Sequence, residues 1–137
     1  MKNAYVIDTN LIFSALISSS SSIRDMLLEE NIIYYAPNYI IAELIKHKEK
    51  MLKFSKLTED EFYNYLNGIV EKVRFVHTDF ISDESRQTAY DLCKDVDVKD
   101  TLFVALTIEL GVPLWTGDKK LKNGLMRKGF EQFFEVK

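Results

Sequence analysis

Apolar residues along this chain fall into two patterns. Short, almost wholly apolar runs alternate with longer stretches in which apolar residues return every three or four positions. Ala4 to Ile7 is the first short run, closed by Asp8, Thr9 and Asn10. A run without a polar face suits a strand covered on both sides, as in the middle of a parallel sheet. Leu11 to Ile17 then reads as a helix turning away, and the serine-rich stretch Ser18 to Ser22 as a surface loop. Ser22 with Asp25 marks a helix start ahead of Ile23, Met26 and Leu27. Ile32 to Ala36 is a second strand, stopped by Pro37 and Asn38. From Tyr39 to Phe54 the period is helical, carried by Ile40, Ile41, Leu44 and Ile45, with Glu43 inside its most apolar part.

Thr58 and Glu61 have the spacing of a capping box for a helix bearing Phe62, Tyr65, Leu66 and Ile69, which Gly68 weakens near its end. Val73 to Val76 predicts a third strand, Ser82 to Cys93 a helix, and 99–110 a helix that is apolar almost all round. Gly111 ends that helix and Pro113 prevents its resumption. Leu114 and Trp115 make a short fourth strand, Asp118 caps a helix from Lys119 to Met126, and Phe133 to Val136 is a candidate edge strand. Strands alternating with helices predict an α/β protein, with a central parallel sheet of four to five short strands and helices on both sides. No repeat or linker interrupts residues 1–137, so one domain is expected. Ligands of such sheets bind beyond the carboxyl ends of the strands. Asp8 and Asp118 both fall there.

Composition narrows the class. Of 137 residues, 47% are apolar and 12% aromatic, enough for a sizeable core and too apolar for a disordered acidic tail. A net charge of -3 excludes a generally basic nucleic-acid binder. Without Asp8, Glu43, Asp97, Asp100 and Asp118 the balance becomes +2, a mildly basic body around an acidic pocket, which is compatible with a polyanionic substrate. Cys93 is the only cysteine, so no disulfide forms within the chain and a reducing compartment is expected. The run before Asp8 is too short for a signal peptide, and no run is long enough to cross a bilayer. A soluble cytoplasmic protein without membrane contact is the expectation.

Taken singly, the acids have ordinary roles. Asp97 and Asp118 suit helix caps, and Asp8 suits an Asx turn. Asp100 is different, because Asp97 or Val98 already takes the cap position ahead of it. Two carboxylates about 4 Å apart repel by roughly 4 kcal/mol at an effective dielectric of about 20. Four meeting in one crevice would weigh heavily against a total stability of about 5–15 kcal/mol. Such a cluster persists with protons or with a cation, and oxygen-only ligands favour Mg²⁺ or Mn²⁺. His47, His77 and Cys93 lack the spacing of a zinc motif.

Four segments, in this order, carry a resemblance. They are Asp8-Thr9-Asn10, then Glu43 within Ile41-Ala42-Glu43-Leu44, then Asp100 heading Asp100-Thr101-Leu102-Phe103-Val104-Ala105-Leu106, then Thr116-Gly117-Asp118. The ordered set spans nearly the whole chain and resembles the PIN domain family, the nucleases that include VapC-type toxins. The resemblance implies a three-layer α/β/α fold, an endoribonuclease using one or two Mg²⁺ or Mn²⁺ ions, and a homodimer. In toxin members it also implies an antitoxin protein as partner. By that match Asp8, Glu43, Asp100 and Asp118 are the catalytic and metal-binding quartet. Asp97 is a further metal-side carboxylate, and Asn10 and Thr116 support the site. The expected reaction is hydrolysis of an RNA phosphodiester by a water that the metal acidifies, with Asp8 and Asp100 innermost. Lys46, His47, Lys119 and Lys120 are candidate RNA contacts, within the wider basic series Lys46–Lys56 and Lys122, Arg127 and Lys128. Tyr34, Tyr35 and Tyr39 are candidates for stacking on unpaired bases, with core packing the plainer alternative. A PIN-like module that binds RNA or protein without cutting is the competing reading. The chain lacks the second Asp that haloacid-dehalogenase-type phosphatases carry after the first, and the paired acids of receiver domains.

Overall fold

The computed structural model describes residues 3–18 and 21–134. In chain order the elements are β1 (Asn3–Ile7), α1 (Thr9–Ile17), α2 (Ser22–Leu27), β2 (Ile32–Pro37), α3 (Ile40–Phe54), α4 (Glu59–Lys72), β3 (Val73–Val76), α5 (Asp83–Cys93), α6 (Thr101–Leu110), β4 (Leu114–Trp115) and α7 (Lys119–Met126). Short 3₁₀ turns cover Thr78–Phe80 and Val98–Asp100. The four strands form one parallel sheet in the order β3-β2-β1-β4. The run without a polar face is indeed interior: Val6 sits beside Tyr35 on one side and Leu114 on the other. Helix α6 lies against β1, β2 and β4 with α5 packed on it, while α1 gathers α2, α3 and α4. This is the expected three-layer α/β/α arrangement. Phe103, Val104, Ala105, Leu106 and Thr107 of α6 are all buried, which is why that helix is apolar all round. No described helix is long and apolar enough to cross a membrane.

Most element ends follow local chemistry. Thr58 and Glu61 form the capping box, Glu61 N donating to Thr58 Oγ1 at 3.2 Å and Thr58 N to Glu61 Oε1 at 3.0 Å. Gly111 ends α6 at φ 66°, a left-handed conformation that only glycine adopts without strain. Several boundaries differ from the sequence expectation. Ser21, not Ser22, caps α2 by accepting from Arg24 N at 3.1 Å. The helix expected over 99–110 starts at Thr101, and Val98–Asp100 tightens into a 3₁₀ turn. Its cause is Asp97, whose Oδ1 accepts from Lys99 N two residues on. α4 continues through Gly68 to Lys72, and a Cβ at Gly68 would meet Leu28 Cδ2 at 3.4 Å, at the end of α2. The edge strand expected over 133–136 is a single parallel bridge from Phe133 to Leu114, and residues 135–136 lie outside the described residues.

Arg24 is a structural residue that periodicity hides. It is 4% exposed, its Nη1 donates to Ala15 O at 2.9 Å and Ser18 O at 2.6 Å, and its guanidinium carbon lies 3.8 Å from the Tyr65 ring centroid. It thereby satisfies carbonyls at the end of α1 and ties them to α4. Arg24→Ala is expected to cost about 2 kcal/mol, the sum of a partly desolvated cation–π contact and charge-assisted hydrogen bonds. Urea unfolding measures this, and a midpoint equal to that of the wild type would refute the role.

Candidate metal centre

The carboxyl ends of all four strands open onto one cavity of about 800 Å³. β1 delivers Asp8, Thr9 and Asn10, β2 delivers Asn38 and Tyr39, β3 leads to Thr78, and β4 leads to Asp118. Phe13 of α1 and Glu43 of α3 line one wall. Asp97, Lys99 and Asp100 of the 3₁₀ turn, with Leu102 and Phe103 of α6, line another. The chain builds outward from β1 to β3, then places β4 on the other side of β1. The order therefore reverses between β1 and β4, the crevice where sheets of this type bind ligands.

Within the cavity, one carboxylate oxygen each from Asp97, Asp100 and Asp118 lie within 4.8 Å of one another. Local structure explains each placement. Asp97 caps the 3₁₀ turn, so Asp100 at the head of α6 makes no capping bond of its own and lines the cavity. Asp118 caps α7 with Oδ1, which accepts from Leu121 N at 3.0 Å, leaving its other oxygen unused by the cap. Asp8 is 5% exposed and doubly engaged: Oδ1 accepts from Leu11 N at 3.0 Å and Oδ2 accepts a short bond from Thr116 Oγ1. The same hydroxyl oxygen accepts from Asp118 N at 3.1 Å, so Thr116 joins the acid after β1 to the acid after β4. Glu43 lines the cavity half-exposed, its Oε2 lying 3.4 Å from His47 Nε2. Asp97 thus stands close to Asp100 and Asp118, while Asp8, expected innermost with Asp100, lines the same cavity with both oxygens accepting hydrogen bonds.

The charges interact strongly. Asp100 is pushed up to about 7, chiefly by burial, then by the charges of Asp97, Asp8 and Asp118 and by a hydrogen bond with Asp97. Asp8 is also raised; burial outweighs the opposing hydrogen bonds from Thr116 and Leu11. Tyr39 is raised to about 12 by burial and by the nearby negative charge of Asp100 and Glu43. The cluster holds more negative charge than it tolerates near neutral pH. A proton or a cation must offset it.

Residues 6–133 match the family model of the PIN domain. The chain belongs to the PIN domain family. PIN domains are generally metal-dependent nucleases, and the acidic triad is compatible with a divalent ion. No curated protein matches the chain.

In this PIN domain the other expected site residues fall as follows. Asn10 lines the cavity and Thr116 bonds Asp8. Lys46 is exposed on α3, and Lys119 and Lys120 are exposed directly after Asp118. His47 pairs with Glu43 and meets the Phe13 ring edge-on at 5.9 Å. Lys128, from the wider basic series, is used internally: its Nζ donates to Asp91 O at 3.2 Å, Leu92 O at 2.9 Å and the Asp95 carboxylate. Tyr34 is fully buried and donates to Met26 O at 2.9 Å, so it is core; of the three tyrosines, Tyr39 lines the cavity. Sequence reasoning missed Asn38, Thr78, Phe13 and Lys99. Applying the strand-end rule to β2 and β3 as well as to β1 and β4 would have found Asn38 and Thr78. Lys99 lies between Asp97 and Asp100 and follows from placing both at one site.

Gly124 packs closely against the segment that leads into Asp97. A Cβ there would stand 2.7 Å from Val96 Cγ1, and Val96 leads directly into Asp97. Gly124→Ala gains about 1 kcal/mol of helix propensity and loses about 1–3 kcal/mol to overlap. Valine has one stiff torsion, so relief comes from moving the segment before Asp97. The expected result is a metal-induced rise in melting temperature cut to about half or less, with metal-free melting changed by only about 3 °C. An undiminished metal effect in scanning calorimetry would show that the contact does not position Asp97.

Proposed function

We propose that this PIN domain is an Mg²⁺- or Mn²⁺-dependent endoribonuclease that hydrolyses RNA phosphodiester bonds in the cytoplasm as the toxin of a toxin–antitoxin pair. The observation that carries the reading is the Asp97–Asp100–Asp118 set, opening onto a cavity that Asp8 and Glu43 also line. The donor set fits the ion: it offers carboxylate oxygens alone, the ligands that hard divalent cations prefer. Asp97, Asp100 and Asp118 would hold the ion, with Asp8 fixed beside them by Thr116. A divalent ion supplies charge to the phosphoryl oxygens and makes a bound water acidic. Glu43, which lines the cavity outside the tight set and is partly open to solvent, would accept a proton from an attacking water. Lys99 is the one cation lining the cavity among the described residues, and we assign it to a phosphate of the substrate.

An antitoxin partner and pairing of two copies are part of this reading. Ile41, Ile45 and Phe54 of α3 are exposed apolar side chains that a protein partner would cover. Incubating the purified protein with a single-stranded RNA tests the chemistry. Internal cuts are expected with Mn²⁺ or Mg²⁺, lost on chelation and restored when metal is returned. RNA that is bound yet left intact in metal would favour the non-catalytic module, and cutting that survives chelation would exclude the metal mechanism.

A further inference from the structure

The acids take up only part of the cavity. An ion with six waters at about 30 Å³ each needs about 180 Å³, against a cavity of about 800 Å³. The rest of the lining has different chemistry. Phe13 and Tyr39 line the same cavity half-buried, together with the amides of Asn10 and Asn38. Tyr39 is braced edge-on against Phe103 at 6.0 Å and Phe13 against His47 at 5.9 Å, so both rings are held while part of their surface stays open. Neither amide side chain has a hydrogen-bond partner among the described residues. Phosphate and ribose have little to gain from open aromatic rings beside an acidic cluster. A flat heterocycle gains stacking, and its edge gains the donor and acceptor of an amide.

We propose that this part of the lining is a nucleobase subsite. One unpaired base of a single-stranded RNA lies against Phe13 and Tyr39, and Asn38 and Asn10 hydrogen-bond its edge. The inference rests on reading the cavity as an RNA-cleaving site, and it names the residues that would hold one base of the strand there. Duplex RNA keeps its bases stacked and is excluded from the subsite.

The test compares adenosine, guanosine, cytidine and uridine 5′-monophosphates with ribose 5-phosphate, all in Mg²⁺, by calorimetric titration. At least one nucleotide is expected to bind about ten-fold or more tightly than ribose 5-phosphate, in line with stacking contributions measured for other single-stranded sites. Phe13→Ala and Asn38→Ala should each shrink that advantage to about three-fold or less, without changing the affinity for ribose 5-phosphate. If Phe13→Ala folds poorly, Phe13→Leu keeps the bulk, removes the flat ring face and gives the same loss. Equal affinity for all five probes, or an advantage that survives both substitutions, overturns the subsite. The Mg²⁺-induced rise in melting temperature, recorded alongside, separates the two readings. A rise without base preference defeats the subsite alone. Base preference without a rise defeats the metal reading and leaves the subsite standing.

Discussion

Asp100→Asn is expected to abolish RNA cleavage while making the metal-free protein more stable. Both effects have one origin. Asp100 heads α6 without a capping bond and shares the cavity with Asp97, Asp118 and Asp8. Burial and those charges raise it to about 7 from an ordinary 3.8. At pH 8 its negative charge is therefore a burden on the folded state. Asparagine keeps the shape and removes the charge. A tenfold change in proton affinity corresponds to about 1.4 kcal/mol, but the group is only half-buried, so a discounted gain of about 1–2 kcal/mol is expected. The same change deletes a carboxylate from the set that would hold the ion, and cleavage should fall at least about 100-fold. Denaturant unfolding with chelator present and a cleavage assay with metal present read the two halves. A variant that is both inactive and less stable would mean that Asp100 serves packing, and the electrostatic account would fail.

Metal and protons should compete for the same carboxylates. At pH 8, Mn²⁺ at about 100 times its dissociation constant should add about 2.7 kcal/mol, raising the melting temperature by about 8 °C. At pH 5.5 the rise should drop to about a third of that or less, because Asp100, raised to about 7, is then protonated in the folded protein. The sign without metal runs the other way. Because the folded value exceeds the unfolded one, the folded state binds more protons between 3.8 and about 7. The stability that Asp100 contributes is fully present below 3.8 and is lost as pH rises through about 7. Asp8, raised by burial, acts in the same direction. Glu61, Asp95 and Glu109 are lowered, so their contribution is lost only in acid, below their ordinary 4.5 or 3.8. Chelated protein should therefore melt lower at pH 8 than at pH 5.5, with metal reversing that order. Parallel curves with and without Mn²⁺ at both pH values would rule out a shared site.

The parts of this site that depend on neighbouring residues can be read directly from the sequence. Asp8, Thr58, Ser82 and Asp118 cap helices through residues three positions on, and the residue types and spacing announce it. The sheet and the strand ends that carry Asp8 and Asp118 follow from the alternation of short runs and helical stretches. Which carboxylates come within bonding distance does not follow. Asp97 and Asp100 meet Asp118 across separate elements, and Gly124 of α7 closely approaches Val96 just before Asp97. Asp8 is bonded by a hydroxyl 108 residues away. Arg24 sits in a helix of six residues where a cation looks solvated; only the tertiary positions of Tyr65 and the end of α1 make it a buried tie. In each case the missing information is a distance between elements remote in sequence, which periodicity and capping rules do not encode.

β4 is only two residues long, and it is held to β1 by few bonds, among them Val6 N to Pro113 O at 2.9 Å and Asp8 N to Trp115 O at 3.3 Å. Thr116 and Asp118 hang from its end. Fraying of this short pair would draw Thr116 from Asp8 and Asp118 from Asp97 and Asp100 in one movement, so the acidic cluster is only as firmly assembled as two residues of sheet allow.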